Sequence, residues 1–559
     1  MTGIDATVVT YRATPELITA MIRGDVDFGI DYYAAFQPVP DDPRIRVLAM
    51  TGEKRSPLLP DVPTLKESGY PDLVVTTWNG LSAPKGVSDE IVKILNQAMV
   101  EVAADANLQQ HMLKFGLTAG GSTPEEMTAN MTPDPVLMRL ARGFVDLPEY
   151  CRKLTEPLGA KSTFTMTKGN YLVDGYETWG HVNIVEVPGF DPLAEYPQVR
   201  AETDGGKRVF KVVQENVRTR GIEVRCSTPV ERLWHENGEV KGVVAGGKRI
   251  TARRAVILCC GGFEAAADLQ RQFWPIPPAY PAATLGNTGD GIRMAQELGA
   301  GLWHMWHFHG VYGFHHPDPE YRLGIRVRRM RNWVPGVQSR QDNKMSWILV
   351  DQSGRRFMNE YEPYSQDTNH RPMALYDPVT LGHPRIPAII VVDSKGRSLY
   401  PLADPTWNDA PTSKRFGSLS ASDFDNQVLI TKDSLDEIAA EFKMDRGTFR
   451  STIAEWNAGC AAGIDKAFDR VPGSMMPIAE PPFSAGLVWP VVSNTQGGIP
   501  HDEEQRVINS FDEPIPRLFV AGELGSAFGY LYIAGGNLSE CFIGGCIAGN
   551  NAARLEPRN

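Results

Sequence analysis

At roughly 100 to 200 residues per domain, a chain of 559 residues has room for several domains and at least one large buried core. Its 42% hydrophobic, 22% charged and 9% aromatic composition excludes disordered, collagen-like and disulfide-scaffold classes. Lys plus Arg number 56 against 67 Asp plus Glu, a net charge of −11, which argues against a nucleic-acid or anionic-membrane surface but leaves room for a local basic pocket.

Residues 1–130 mix short β-rich runs (Ala6 to Thr10, Val47 to Met50, Leu73 to Thr77) with helical patterns. The clearest helix is Asp89 to Ala104, where Ile91, Ile94, Leu95, Ala98 and Val102 recur at helical spacing. The Gly-, Thr- and Pro-rich stretch Ala119 to Pro135, with an S-x-x-E cap at Ser122 to Glu125, reads as a linker around a short helix. Beyond it, Val209 to Arg218 is expected as a helix and Ile222 to Cys226 as a strand. Arg232 to Trp234 and Val240 to Ala245 are expected as strands about a turn at His235 to Gly238. Ala255 to Cys260 reads as a continuous apolar strand ending in Gly261 and Gly262, and Leu518 to Ala521 as another ending in Gly522 and Glu523. Gly535, Gly536 and Asn537 then open an apolar, glycine-bearing helix. Glycine at a strand's end lets backbone approach a bulky ligand, and unpaired amides at a helix start accept an anionic or electron-rich group.

The seven cysteines contain no C-x-x-C, so neither a disulfide framework nor a zinc site is indicated and the thiols are expected to be buried. No apolar run approaches the ~20 residues that cross a bilayer, and the opening MTGIDATVVTYR lacks a basic n-region followed by an apolar h-region. No membrane span and a cytoplasmic location are therefore expected. His304, His307 and His309 fall within LWHMWHFHG, with His307 and His309 on one face if the segment is a strand. Without a third ligand in view, packing or substrate contact is the expectation and no metal is assigned. The arginine-rich RLGIRVRRMR (Arg322 to Arg331) reads as a solvated surface hairpin.

In the first region, GDVDFGID (Gly24 to Asp31), Arg46 to Asp72 with its KRSPLLPDVPTLKE core, TWNGLSAPKGV (Thr77 to Val87) and a helix ending DANLQQHMLKFGL resemble tripartite tricarboxylate transporter solute-binding proteins. The resemblance covers that family's later half and implies part of a two-lobed α/β receptor for small carboxylates, with Tyr11 and Asp31 as the remaining contacts.

In the second region, TPVERLW with GEVKGVVA, AVILCCGGF, NTGDGIRMAQELGAGL and the C-terminal AGE…GGN…IAG series resemble, in order, the flavoprotein family of fumarate reductase, succinate dehydrogenase and ketosteroid dehydrogenase. WILVDQSGRRFMNE (Trp347 to Glu360) matches the family's substrate-capping segment. The resemblance implies an α/β fold, α+β in the cap. The partial solute-binding unit at 1–130 would be followed by an FAD-binding domain in two parts, 131–310 and 481–559, lacking its first βαβ unit, with an inserted α+β substrate-capping domain at 311–480. By position, Val230 would meet the adenine through its backbone, Gly261 and Gly262 would line the flavin, and Asp290, Gly522 and Glu523 would face the ribityl region. Gly536, Asn537 and Leu538 would present backbone to the isoalloxazine.

The family's G-x-G-x-x-G, which seats the FAD pyrophosphate, has no match in this chain. Ile533 stands where fumarate reductases place a carboxylate-clamping arginine, and Asn494 where they carry histidine. Tyr532, four residues before Gly536, instead resembles the tyrosine that holds the substrate carbonyl in ketosteroid dehydrogenases. Tyr532, Arg340 and His309 are the catalytic candidates. The resemblance implies hydride transfer between a CH–CH bond beside a carbonyl and flavin N5, on a small carbonyl-conjugated substrate, carboxylate or steroid-like, with an electron partner the residues do not name. A carboxylate receptor and an inactive fusion of two truncated proteins, binding FAD weakly or not at all, are the alternatives.

Overall fold

A computed structural model describes residues 14–30, 44–52, 54–70, 89–114, 133–166, 180–196, 205–328, 344–361, 369–407, 409–529 and 535–558. The chain divides into two compact units, Met1–Met131 and Thr132–Asn559.

In the first unit, helix Thr14–Arg23 buries Leu17, Ile18 and Ala20, with Leu17 and Ala20, three residues apart, on one face. A helix forms at Asp89–Ala103, as its periodicity requires, and a second follows at Ala106–Lys114. Ile94 and Val102 of the first are nevertheless exposed, because periodicity sets which residues share a face and not what covers them. The strand expected at Val47 to Met50 is reduced to one parallel bridge between Met50 and Thr64. The strands at Ala6 to Thr10 and Leu73 to Thr77, the linker helix, Tyr11 and Asp31 lie outside the described residues.

The second unit opens with helix Asp134–Thr155 and an antiparallel pair, β1 (Lys161–Met166) and β2 (Gly180–Glu186). Helix Gly205–Thr219 follows. Strands β3 (Val230–Glu236), β4 (Glu239–Ala245) and β5 (Lys248–Thr251) form an antiparallel meander. Its first turn is tighter than expected: Asn237 and Gly238, both at positive φ, make the two-residue Asn-Gly hairpin that matches strand twist. Ile222 to Cys226 is not a strand. Its Arg225 pairs locally with Glu223, and Ile222 and Val224 stay exposed, so neither a ladder nor a core rewards extension there.

Next come β6 (Val256–Leu258), β7 (Tyr280–Pro281), β8 (Phe308–His315), β9 (Gly324–Val327), β10 (Trp347–Val350), β11 (Ala388–Val392) and β12 (Ala403–Asp404). They are followed by β13 (Ile430–Lys432), β14 (Phe483–Thr495), β15 (Arg506–Ile508) and β16 (Pro514–Val520). An eight-stranded sheet runs β10-β11-β14-β8-β9-β12, with β7 and β13 also on β14. Both faces of its centre are covered. Trp347, Leu349, Ile390 and Val392 enter one core cluster, while their neighbours Ile348, Val350, Ile389 and Val391 enter another. That is why Ala388 to Val392 is continuously apolar instead of alternating. The segment read as a surface hairpin contains β9, whose Ile325 and Val327 are buried, while Arg326 reaches Ser493. Alternation with arginine marked a strand with one buried face, not a solvated loop.

A three-stranded sheet, β15-β16-β6, pairs β16 with β6 in parallel, Leu518 to Val256 through Val520 to Leu258. Helix Gly536–Arg554 closes the unit and packs on β16 through Ala548 and Ala552. Among the described residues no helix is long and apolar enough to cross a membrane. The expectation of buried thiols holds fully only for Cys151; Cys226, Cys259, Cys260 and Cys541 are exposed. β6 ends at Leu258, so Cys259 and Cys260 lie in the loop beyond the strand instead of inside it.

Candidate functional site

Parallel strands of an open α/β sheet present their carboxyl ends to ligands. Here β6 runs into Gly261 and Gly262, and β16 into Gly522 and Glu523. Gly261 has a φ of +73, and an added Cβ would overlap Asn287. At Gly262 a Cβ would overlap Thr495 Oγ1 and lie 2.6 Å from Glu523 Oε1. Two glycines are thus required for one strand end to pass this close to β14 and to the turn after β16.

Four side chains meet over that pair. Thr495 N–H donates to Glu523 Oε1 at 2.7 Å, and Asn287 Nδ2 donates to Glu264 Oε1 at 2.6 Å and to Glu523 Oε2 at 3.3 Å. Glu264 is 1% exposed and its Oε2 has no hydrogen-bond partner, whereas Glu523 is half-buried. Burial, and then the charge of Glu523, push the Glu264 carboxyl up to about 9. Burial raises Glu523 to about 7, against the hydrogen bonds from Thr495. A third buried acid, Glu540, accepts from Ala527 N–H at 2.6 Å. Burial lifts it to about 8.

A histidine cluster lines the start of β8. Asn494 Oδ1 accepts from His309 Nδ1 at 2.7 Å, which places the neutral ring's proton on Nδ1. Arg371 donates to His307 Nε2 at 3.0 Å; burial and that guanidinium hold His307 down to about 2. His370 donates from Nδ1 to Gly310 O and stacks on Phe308 at 4.1 Å, and burial lowers it to about 3. His307 precedes β8 instead of lying in it, so the expected shared strand face with His309 does not form.

Of the residues singled out in the sequence, Gly261, Gly262, Gly522 and Glu523 lie at the two parallel strand ends. Asp290 begins helix Asp290–Gln296 and is exposed, and Val230 begins β3, 37% exposed. Gly536 is the first residue of the C-terminal helix, capped by Gly535 at φ +80, and the Leu538 side chain is exposed. Tyr532, Arg340 and Ile533 lie outside the described residues. Glu264, Asn287, Glu540, His370 and Arg371 were not singled out. Only Glu264 carried a sequence signal, a charge directly behind an apolar Gly-Gly-Phe.

Both side-chain polar atoms of Asn537 are buried without a partner. Buried polar atoms in folded proteins are nearly always paired, so the orphaned amide atoms next to Gly536, itself crowded by Phe528, fit a polar planar ligand. They fit the isoalloxazine and ribityl portions of a flavin. No G-x-G-x-x-G is available to cradle a pyrophosphate.

Gly262→Ala is expected to weaken FAD binding roughly 5- to 150-fold, the equivalent of the ~1–3 kcal/mol of overpacking. Fluorescence titration would measure it. Gly545→Ala, where a Cβ meets nothing within 4 Å, should leave affinity unchanged.

The parallel strand pair, its glycine ends and the orphaned polar atoms define a flavin-binding α/β protein. Residues 76–538 match the family model described as FAD binding domain, and the chain belongs to that family. Residues 1–134 match the model of the tripartite tricarboxylate transporter family receptor, so pieces of two families are joined in one chain. A 3-oxosteroid 1-dehydrogenase of Mycolicibacterium smegmatis is 27% identical over 371 residues, 61% of this chain and 61% of that protein. A fumarate reductase (cytochrome) of Shewanella frigidimarina is 25% identical over 547 residues, 95% of this chain and 85% of that protein. Among solved structures, 3-ketosteroid delta1-dehydrogenase from Sterolibacterium denitrificans, in complex with 1,4-androstadiene-3,17-dione, matches with a TM-score of 0.52 and 25% identity. That match covers 62% of this chain and 63% of the other. The mixed α/β flavoprotein fold and FAD as the family's cofactor agree with the sequence reading.

Proposed function

We propose that this chain is an FAD-dependent oxidoreductase acting on a CH–CH bond next to a carbonyl. The observation that carries the reading is the pair of glycine-ended parallel strands facing Glu523, with the orphaned Asn537 amide at the start of the C-terminal helix. Bound FAD would supply an acceptor or donor for the substrate's β-hydride at N5. Gly261, Gly262 and Gly522 would admit the flavin, Glu523 and Asp290 would hold its ribityl chain, Val230 would flank the adenine, and Gly536, Asn537 and Leu538 would present backbone to the ring.

His309, its tautomer fixed by Asn494, would orient the substrate. Tyr532 would polarise the carbonyl and acidify the adjacent carbon, and Arg340 would exchange the proton. Arg371, beside a His307 kept neutral, adds a cation that favours an oxygen-rich group in the same region. Residues 311–480 would cover the substrate, with 131–310 and 481–559 forming the FAD-binding part without its first βαβ unit and 1–130 the partial solute-binding unit. With Ile533 and Asn494 at the two positions read as carboxylate-binding in fumarate reductases, a steroid-like ketone is favoured over a dicarboxylate. A cytoplasmic location belongs to the same reading.

The experiment is reconstitution. FAD incubation should give a yellow protein whose bound flavin is bleached anaerobically by a 3-ketosteroid and not by succinate. Bleaching by succinate alone would move the substrate to the dicarboxylates. A colourless protein after incubation would reject the enzyme reading, and a melting shift with small dicarboxylates would then support the receptor.

A further inference from the structure

We propose that Glu264 and Glu523 work as one carboxyl pair holding a single proton, with Glu264 the positioning residue that keeps Glu523 singly charged and aimed at the cofactor's hydroxyl-bearing chain. The proposal rests on the FAD reading for its ligand, and on this chain's own geometry for the pair.

Asn287 Nδ2 donates to both carboxyl groups, so the two acids are held side by side from different elements, the loop after β6 and the turn after β16. Among the described residues, neither acid has a Lys, Arg or His within ion-pair distance. Among the described residues, the ionisable groups that act on them or on their neighbours are acidic. Cys260 lies on the same loop, Asp290 acts on Cys260 from the start of its helix, and Glu540 and Cys541 sense Glu523 from the C-terminal helix. β14 contributes only the uncharged Thr495. Two adjacent carboxylates in such surroundings cannot both ionise cheaply, so one proton stays with the pair between about pH 7 and about pH 9.

The proton belongs on the buried member, which gains nothing from solvent. Glu264 holds it beside Glu523, and the half-buried Glu523, accepting from Thr495 and Asn287, keeps the negative charge. A ligand hydroxyl meets one localised charge instead of two repelling ones. Glu264 touches the ligand only through Glu523.

The test uses the full chain in a Glu540→Gln background, which removes the other protonated buried acid. Infrared spectra of the flavin-free protein, taken between the two values at about pH 8, should show a protonated-carboxyl band that vanishes in Glu264→Gln. FAD affinity in the unsubstituted chain should weaken roughly tenfold per pH unit on both sides of a plateau, as one proton is linked to binding on each side. Glu264→Gln should abolish the alkaline limb and keep the acid one, because glutamine cannot ionise. Glu523→Gln should abolish the acid limb. A carboxyl band that survives Glu264→Gln, or an alkaline limb unchanged by it, overturns the proposal. If no FAD binds at any pH, the proposed function fails, and the infrared band alone decides whether the pair shares a proton.

Discussion

Replacing Glu360 with glutamine is expected to destabilise the protein by about 3–5 kcal/mol, the cost of removing one partner from a buried ion pair. Glu360 is fully buried at the centre of a network in the second unit. It accepts from Leu349 N–H at 3.0 Å, from Arg356 at 2.7 Å and from Arg470 at 3.2 Å, and Asp465 takes a second Arg356 nitrogen at 2.7 Å. Arg470 is itself fully buried and donates to the carbonyls of Met345 and Trp347. The Trp456 ring centre lies 4.5 Å from the Arg356 guanidinium and 4.8 Å from that of Arg470. Two cations thus balance two carboxylates, all four side chains largely buried. Glutamine leaves two guanidiniums against Asp465 alone and points an amide donor at arginine donors. Urea unfolding followed by circular dichroism should show a lowered midpoint. Glu360→Leu combined with Arg470→Met should recover at least half of the loss, since apolar replacement of a whole buried pair is commonly near neutral. A Glu360→Gln midpoint within error of the original would mean that the network carries no net stability.

This network shows where sequence reading stops. The WILV and AIIVV runs announce strands, and RRFMNE announces charge nearby, but nothing local pairs Arg356 with Asp465, 109 positions on. The flavin site divides the same way. Its glycines were legible because backbone chemistry is written locally: Gly261 and Gly522 take the left-handed conformation at strand ends, and Gly535 and Gly536 open a helix. The carboxyl cluster was not, because burial of Glu264 depends on Asn287 and Glu523, brought together only by the pairing of β6 with β16. Ile222 to Cys226 failed for the converse reason. Its local pattern suits a strand, yet no partner strand exists for it among the described residues.

The second large effect concerns pH and Glu540. This side chain is 5% exposed; its Oε1 is held by Ala527 N–H and its Oε2 has no partner. Val136, Leu140, Ile543 and Ile547 line the small cavity beside it, so the charged form finds little solvation. The folded carboxyl keeps its proton up to about 8, while the ordinary value is 4.5. Between those values the folded state binds more protons than the unfolded state, so stability falls as pH rises. Below 4.5 both states are protonated and nothing is lost; above 8 the loss is complete. Each pH unit within the window removes up to about 1.4 kcal/mol. Glu540→Gln, which still accepts from Ala527 and cannot ionise, should gain about 2–5 kcal/mol over the original chain at alkaline pH relative to acid pH. Paired urea titrations of the two proteins across that range would measure it. Because Glu264 and Glu523 titrate in both, the difference reports Glu540 together with its repulsion by Glu523, and a difference that does not grow with pH would mean that the carboxyl ionises in the folded protein as readily as in water.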